Sequence, residues 1–108
     1  MRIAFIIASA AIALAVPSSA HAQEFSLTIK DHKFEPAEIK VPANQRITII
    51  VSNEDATAEE FESKSLKVEK VIAGKSKGTV RVSPLKPGRY EFIGEYHEST
   101  AKGVLIAE

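Results

Sequence analysis

Ile47-Thr48-Ile49-Ile50-Val51-Ser52 and Phe25-Ser26-Leu27-Thr28-Ile29-Lys30 carry their apolar residues at every second position. That period sets Ile47, Ile49 and Val51, and likewise Phe25, Leu27 and Ile29, on one face of an extended chain with Thr, Ser and Lys on the other. Ile50 interrupts the polar face of the first stretch and predicts a strand covered on both sides. Shorter segments repeat the pattern: Ile39 with Val41, Val80 with Val82, Tyr90 with Phe92, and Val104 with Ile106. Turn-forming groups separate them: Glu35-Pro36, Pro42-Ala43-Asn44, Asn53-Glu54-Asp55, Ala73-Gly74 and Pro84-Leu85-Lys86-Pro87-Gly88. About six or seven short strands at this spacing predict an all-β fold, a Greek-key β-sandwich. Its core is expected to take Phe25, Leu27, Ile29, Ile47, Ile49, Val82, Tyr90, Phe92 and Val104.

Residues 56–65 do not alternate cleanly. Glu59, Glu60 and Glu62 surround Phe61, and the segment is expected to be a loop or a short helical turn before extended chain resumes at residues 66–72. There Glu69 and Lys70 point to opposite faces. Glu69 either turns inward, where a metal or a basic group such as Lys64 or Arg81 must meet it, or lies on an exposed edge strand whose charges block unwanted pairing.

Residues 1–22 read as a separate segment. Met1-Arg2 is a short positive start, Ile3 to Val16 is uncharged and apolar, and Ala20-His21-Ala22 is a small-x-small site. These are the marks of a cleavable signal peptide. An apolar run of about fourteen residues falls short of the roughly twenty that span a bilayer. The expectation is a periplasmic domain over residues 23–108, not itself membrane-spanning after cleavage, whose histidines are His32 and His97.

Composition then narrows the chemistry. With 14 basic and 14 acidic residues there is no positive excess to attract nucleic acid. The chain has no cysteine, so disulfides are excluded and a metal must be held by imidazole and carboxylate. It has no nucleophile elbow, no defensible Ser/His/Asp set and no glycine-rich phosphate loop, which argues against hydrolysis.

Phe34-Glu35-Pro36-Ala37-Glu38-Ile39-Lys40-Val41-Pro42-Ala43-Asn44, then Val51-Ser52-Asn53-Glu54-Asp55, then Pro87-Gly88-Arg89-Tyr90-Glu91-Phe92 resemble the cupredoxins over almost all of residues 23–108. The resemblance implies a histidine shortly after the Asn-x-Asp turn, and a Cys-x-x-His loop followed by methionine after the Gly-x-Tyr-x-Phe strand. Here Glu59 falls near the first histidine, Gly94 at the cysteine, His97 at the second histidine, and Ala101 or Lys102 at the methionine. One ligand of four remains, which rules out a blue copper electron carrier, since that site depends on a thiolate. Glu60-Phe61-Glu62-Ser63, Glu69-Lys70-Val71-Ile72 and Gly94-Glu95-Tyr96-His97, with Thr100, Ala101 and Gly103 beyond, are similar to the EfeO-type cupredoxin-like periplasmic proteins associated with iron transport. That similarity implies a membrane permease of the iron/lead family and a periplasmic iron-binding protein as partners, and a role in ferrous iron oxidation.

In that topology the loops after Val51 and after Phe92 share one end of the sandwich. His97, Glu59, Glu62, Glu95 and Glu60 are therefore the expected metal ligands, with His32, in a turn, an outer candidate. Tyr96 either offers its phenol to the site or only packs. Carboxylates with one imidazole suit an iron ion, or a Cu(II) ion, better than Cu(I), and anionic oxygen favours ferric over ferrous iron. The expected function is a metal-binding accessory protein of an iron uptake system. The alternative is a metal-free module that uses the scaffold to dock to a permease or another periplasmic protein.

Overall fold

Alternating sequence becomes strand throughout residues 23–108, the residues that the structure, a computed structural model, describes. The signal-peptide expectation falls on residues 1–22, outside the described residues. In chain order the strands among the described residues are β1 (Gln23–Lys30), β2 (Lys33–Glu35), β3 (Glu38–Val41), β4 (Ile47–Asn53), β5 (Glu59–Ser63), β6 (Val68–Ile72), β7 (Ser76–Val82), β8 (Gly88–Gly94) and β9 (Lys102–Ala107), with a 3-10 turn at Glu95–His97. They form two sheets, one ordered β2-β1-β4-β7 and the other β3-β9-β8-β5-β6. Two of the pairings are parallel: β1 runs beside β4 with Gln23 opposite Ile47, and β3 runs beside β9 with Glu38 opposite Val104. The remaining pairs are antiparallel. This is the all-β, two-layer architecture that the alternation predicts.

The inner faces follow the period of two. β4 buries Ile47, Ile49, Val51 and Asn53 and leaves Thr48, Ile50 and Ser52 half-buried, so Ile50 is covered on its second face only in part. Leu27, Ile29, Phe34, Val80 and Val82 complete that sheet's contribution, and Ile39, Val41, Phe61, Ile72, Phe92, Leu105 and Ala107 face them from the other. Phe61 and Phe92 stack with ring centroids 4.9 Å apart, and Phe34 meets them edge-on at 6.0 and 5.0 Å. Emptying such a position by Phe→Ala costs about 3–5 kcal/mol.

Two expectations need correction. Residues 59–63 are neither loop nor helical turn but β5, in which Glu59, Phe61 and Ser63 point inward while Glu60 and Glu62 are half-buried on the other face. The period was present but masked, because two of the three inward residues are polar. In β9 the buried residues are Leu105 and Ala107, and Val104 is half-buried on the opposite face. Val104, Leu105, Ile106 and Ala107 are all apolar, so composition does not choose between the two parities. Phe25 and Tyr90 pack against the core from its margin.

At the end of the sandwich where the candidate residues gather, β1 and β2 are joined by two residues, Asp31 and His32, both at positive φ (52° and 57°). That is the backbone of a type I′ hairpin turn, whose twist matches the flanking strands. Asp55 secures it: its carboxyl oxygens accept from the Asp31 N–H at 2.8 Å and the His32 N–H at 3.0 Å. Asp55 is itself positioned by Asn53, buried at the end of β4, whose Oδ1 accepts from the Asp55 N–H (3.1 Å) and whose Nδ2 donates to the carbonyls of Thr57 (2.9 Å) and Ile72 (3.2 Å).

Candidate metal centre

Alternation along β5 sends its glutamates to two different places. Glu59 turns inward and is 1% exposed. A carboxyl group this deep needs donors, and it has three: Oε1 accepts from the Tyr96 N–H at 2.9 Å and the Glu60 N–H at 3.0 Å, and Oε2 lies 2.5 Å from His97 Nδ1. Gly94 borders the same carboxyl. A Cβ at residue 94 would fall 2.6 Å from Glu59 Cδ, 2.9 Å from its Oε1 and 2.6 Å from the Ala101 Cβ. Backbone hydrogen bonds close the loop, from Gly94 N–H to the Ala101 carbonyl (2.9 Å) and from Ala101 N–H to the His97 carbonyl (2.8 Å). Glu59, Gly94, His97 and Ala101, where or near which the resemblance expects the four cupredoxin ligands (with Lys102 the other choice for the methionine), thus surround one point.

The residues there do not fit the copper centre of the fold. The thiolate position has no side chain, and the sole methionine of the chain is Met1. The space a cysteine Cβ would need is taken by the Glu59 carboxyl.

His32 joins this group from the hairpin. Its ring stacks on that of His97, with centroids 3.5 Å apart and planes inclined by 12°, and its carbonyl accepts from Thr100 Oγ1 at 2.7 Å. The expected outer candidate is therefore in contact with His97. The hydrogen bond from the His32 N–H holds the Asp55 carboxyl below its ordinary range; the Asp31 N–H and the charges of His32 and His97 add to it, against an opposing effect of burial.

Glu60 and Glu62 turn to the outer face of the five-stranded sheet. Register brings company: Glu62 lies directly opposite Glu69 of β6, and Glu95 follows the Phe61–Gly94 pair by one residue, level with Glu60. Glu60, Glu62, Glu69 and Glu95 each offer a carboxylate oxygen, and the four oxygens lie within 4.8 Å of one another. Glu60 Oε1 is buried and has no hydrogen-bond partner among the described residues. A hydrogen bond with Glu95 is the main cause pushing the Glu62 carboxyl above its ordinary range, helped by burial and the Glu95 charge and opposed by Lys64. Carboxylates gathered this closely repel one another, and a cation among them would relieve that repulsion. Desolvation, followed by the charge of Glu60 and a hydrogen bond with it, pushes the Tyr96 phenol up, although half of the residue's surface is exposed.

The five expected ligands therefore separate. The structure brings Glu60, Glu62 and Glu95 together and pairs Glu59 with His97 on the inner side of the strand. Glu69 was expected only as an inward or an edge-strand charge. It stands on β6, the edge strand, and it joins the cluster through strand register, for which the sequence offers no signal beyond the repeated glutamates. Among the described residues no helix is long and apolar enough to cross a membrane.

A family described as "Cupredoxin-like domain" matches residues 2–107 of the chain. An uncharacterized protein of Rickettsia prowazekii (strain Madrid E) is 45% identical over 83 residues, which cover 77% of this chain and 66% of that protein, slightly under two thirds of its length. Among solved structures, auracyanin A, a "blue" copper protein of Chloroflexus aurantiacus, superposes with TM-score 0.69 at 15% identity over 82% of this chain and 100% of its own. The metal-binding domain of the Cu(I)-exporting P-type ATPase CopA of Streptococcus pneumoniae, solved with Cu(I), gives TM-score 0.67 at 16% identity over 79% and 84%. At these identities the structural likeness speaks for the fold.

Proposed function

We propose, from the premise that this chain belongs to the cupredoxin-like domain family, that it is a periplasmic metal-binding accessory protein of an iron uptake system and takes ferrous iron as its cargo on the outer face of β5. The observation that carries this reading is the group of four carboxylates, Glu60, Glu62, Glu69 and Glu95, with one buried oxygen of Glu60 left without a partner. An all-oxygen set is a hard donor set, suited to iron or manganese and poorly suited to Cu(I). Its negative charge favours the ferric state, so iron held there loses an electron more readily and supports oxidation by an external acceptor. The similarity of Glu60-Phe61-Glu62-Ser63 and the Gly94–His97 segment to EfeO-type proteins supports iron as the metal. It also supports a permease of the iron/lead family and a periplasmic iron-binding protein as partners, and the signal-like residues 1–22 support export.

A second reading, a metal-free docking module, is favoured by the inner carboxyl of Glu59, which leaves the fold's own metal position filled. Anaerobic titration of Fe(II) into the purified protein, followed by desalting and metal analysis, separates the two. Retention of iron by the wild type and its loss in Glu60→Gln/Glu62→Gln are expected; no retained iron in the wild type would hand the function to the docking reading.

A further inference from the structure

We propose that the Glu59 carboxyl stands in for the metal of the fold, fastening the ligand end of the sandwich without an ion and closing His97 Nδ1 to copper. The inference is independent of the outer carboxylate cluster and goes beyond it. In a metal centre the ion is the common partner that ties a residue of one strand to the loop after another. Here the carboxyl makes the same ties: Oε1 holds the Tyr96 N–H within the 3-10 turn and Oε2 holds the His97 ring, while the carboxyl itself belongs to β5. It is buried to the same degree as the aromatic core, and all its hydrogen bonds to the turn run between segments more than thirty residues apart in the chain.

The surroundings are built to this carboxyl rather than to an ion. Gly94 leaves the room it needs, since any side chain there would collide with Glu59 Cδ and with Ala101. Ala101, fully buried, sets its methyl group against the same space, 2.6 Å from where a Cβ at residue 94 would fall. His32 covers the free face of the His97 ring, so the imidazole is held at one nitrogen and across its plane. Removing the carboxyl frees that nitrogen. Replacing it with imidazole, as in Glu59→His, supplies a second nitrogen donor beside the first, a pair that suits Cu(II).

The test titrates Cu(II) into Glu60→Gln/Glu62→Gln, in which the outer carboxylates no longer hold the ion close to the His97 ring, and into the same protein carrying Glu59→Ala or Glu59→His, with folding checked by far-UV circular dichroism. Both Glu59 changes free Nδ1 and are expected to tighten Cu(II) binding about tenfold or more, and Glu59→His is expected to add the hyperfine structure of a second imidazole nitrogen to the copper spectrum. Copper that binds as tightly with Glu59 present as without it would overturn the proposal, as would a folded Glu59→His with no second nitrogen. Should one of the two Glu59 variants not fold, the other decides the question. Iron retention is read on the wild type against Glu60→Gln/Glu62→Gln, so the two proposals fail separately.

Discussion

Replacing Asn53 by alanine should loosen the whole end of the molecule at which the candidate residues gather. Asn53 is 2% exposed and uses both ends of its amide: two donated hydrogen bonds to the Thr57 and Ile72 carbonyls and one accepted from the Asp55 N–H. At about 1 kcal/mol net for each of the three hydrogen bonds, with a cost for the groups they leave behind, the loss comes to about 2–4 kcal/mol. For a domain of this size, that lowers the unfolding midpoint by roughly 8–32 °C, at about 4–8 °C per kcal/mol. Asn53→Asp is the sharper variant. It puts a carboxylate oxygen against two carbonyl oxygens, so at neutral pH it should destabilise more than alanine does, and protonation at low pH, which restores one donor, should recover part of the loss. Thermal unfolding followed by far-UV circular dichroism measures both. A midpoint for Asn53→Ala within about 2 °C of wild type would place the change among ordinary surface substitutions and refute the hydrogen-bond argument. An alanine variant less stable than the aspartate one would show that the site depends on volume and not on donors.

Glu62→Gln removes one of four clustered carboxylates and one of a directly opposed pair on β5 and β6, so it should raise the unfolding midpoint of the metal-free protein while weakening Fe(II) retention; a midpoint that falls would contradict the repulsion inferred from the register. Asp55 has a folded pKa below its ordinary value, so its contribution is fully present above the unfolded value of about 3.9 and fades as pH falls through the folded value. Asp55→Asn should therefore lower stability at pH 7 and match wild type increasingly toward acid, which urea unfolding at neutral and acidic pH would show. Gly103→Ala would place its Cβ 2.4 Å from the Phe92 ring, and overpacking of this kind costs about 1–3 kcal/mol in denaturant unfolding. With Cu(II) added, the wild type should remain pale, because no thiolate is present to give an intense band in the red; a deep blue protein would overturn the ligand reading.

β1 and β4 were legible because Leu27, Ile29, Ile47, Ile49 and Val51 keep strict alternation and a one-residue slip would expose them all. β5 was hidden for the opposite reason. Its inward set is Glu59, Phe61 and Ser63, and a reading of apolar period cannot see a strand whose buried residues are hydrogen-bonded polar groups. The resemblance pointed to Glu59, Gly94, His97 and Ala101 or Lys102 from sequence, but not to a carboxyl filling the space among them, which depends on the missing Cβ of residue 94 and the donors of residues 60, 96 and 97. Glu69 entered the cluster through its pairing with Glu62, and register between strands is a property of the assembled sheet. The stacking of His32 on His97 rests on a two-residue turn at positive φ held by Asp55, a contact 23 residues distant in sequence.

The place of β9 in the second sheet governs when that sheet is complete. β9 lies between β3 and β8, and its pairing with β3 joins residues 38–41 to residues 104–107. β3 has no other neighbour in its sheet, so it joins the sheet only through β9. Non-local pairing of this kind places folding on the scale of about milliseconds to seconds. Until then β8 offers an open edge, and strand edges recruit other chains. Pairing of residues 102–107 with β3 on one side and β8 on the other closes that edge, which makes docking of β9 the step that completes the five-stranded sheet.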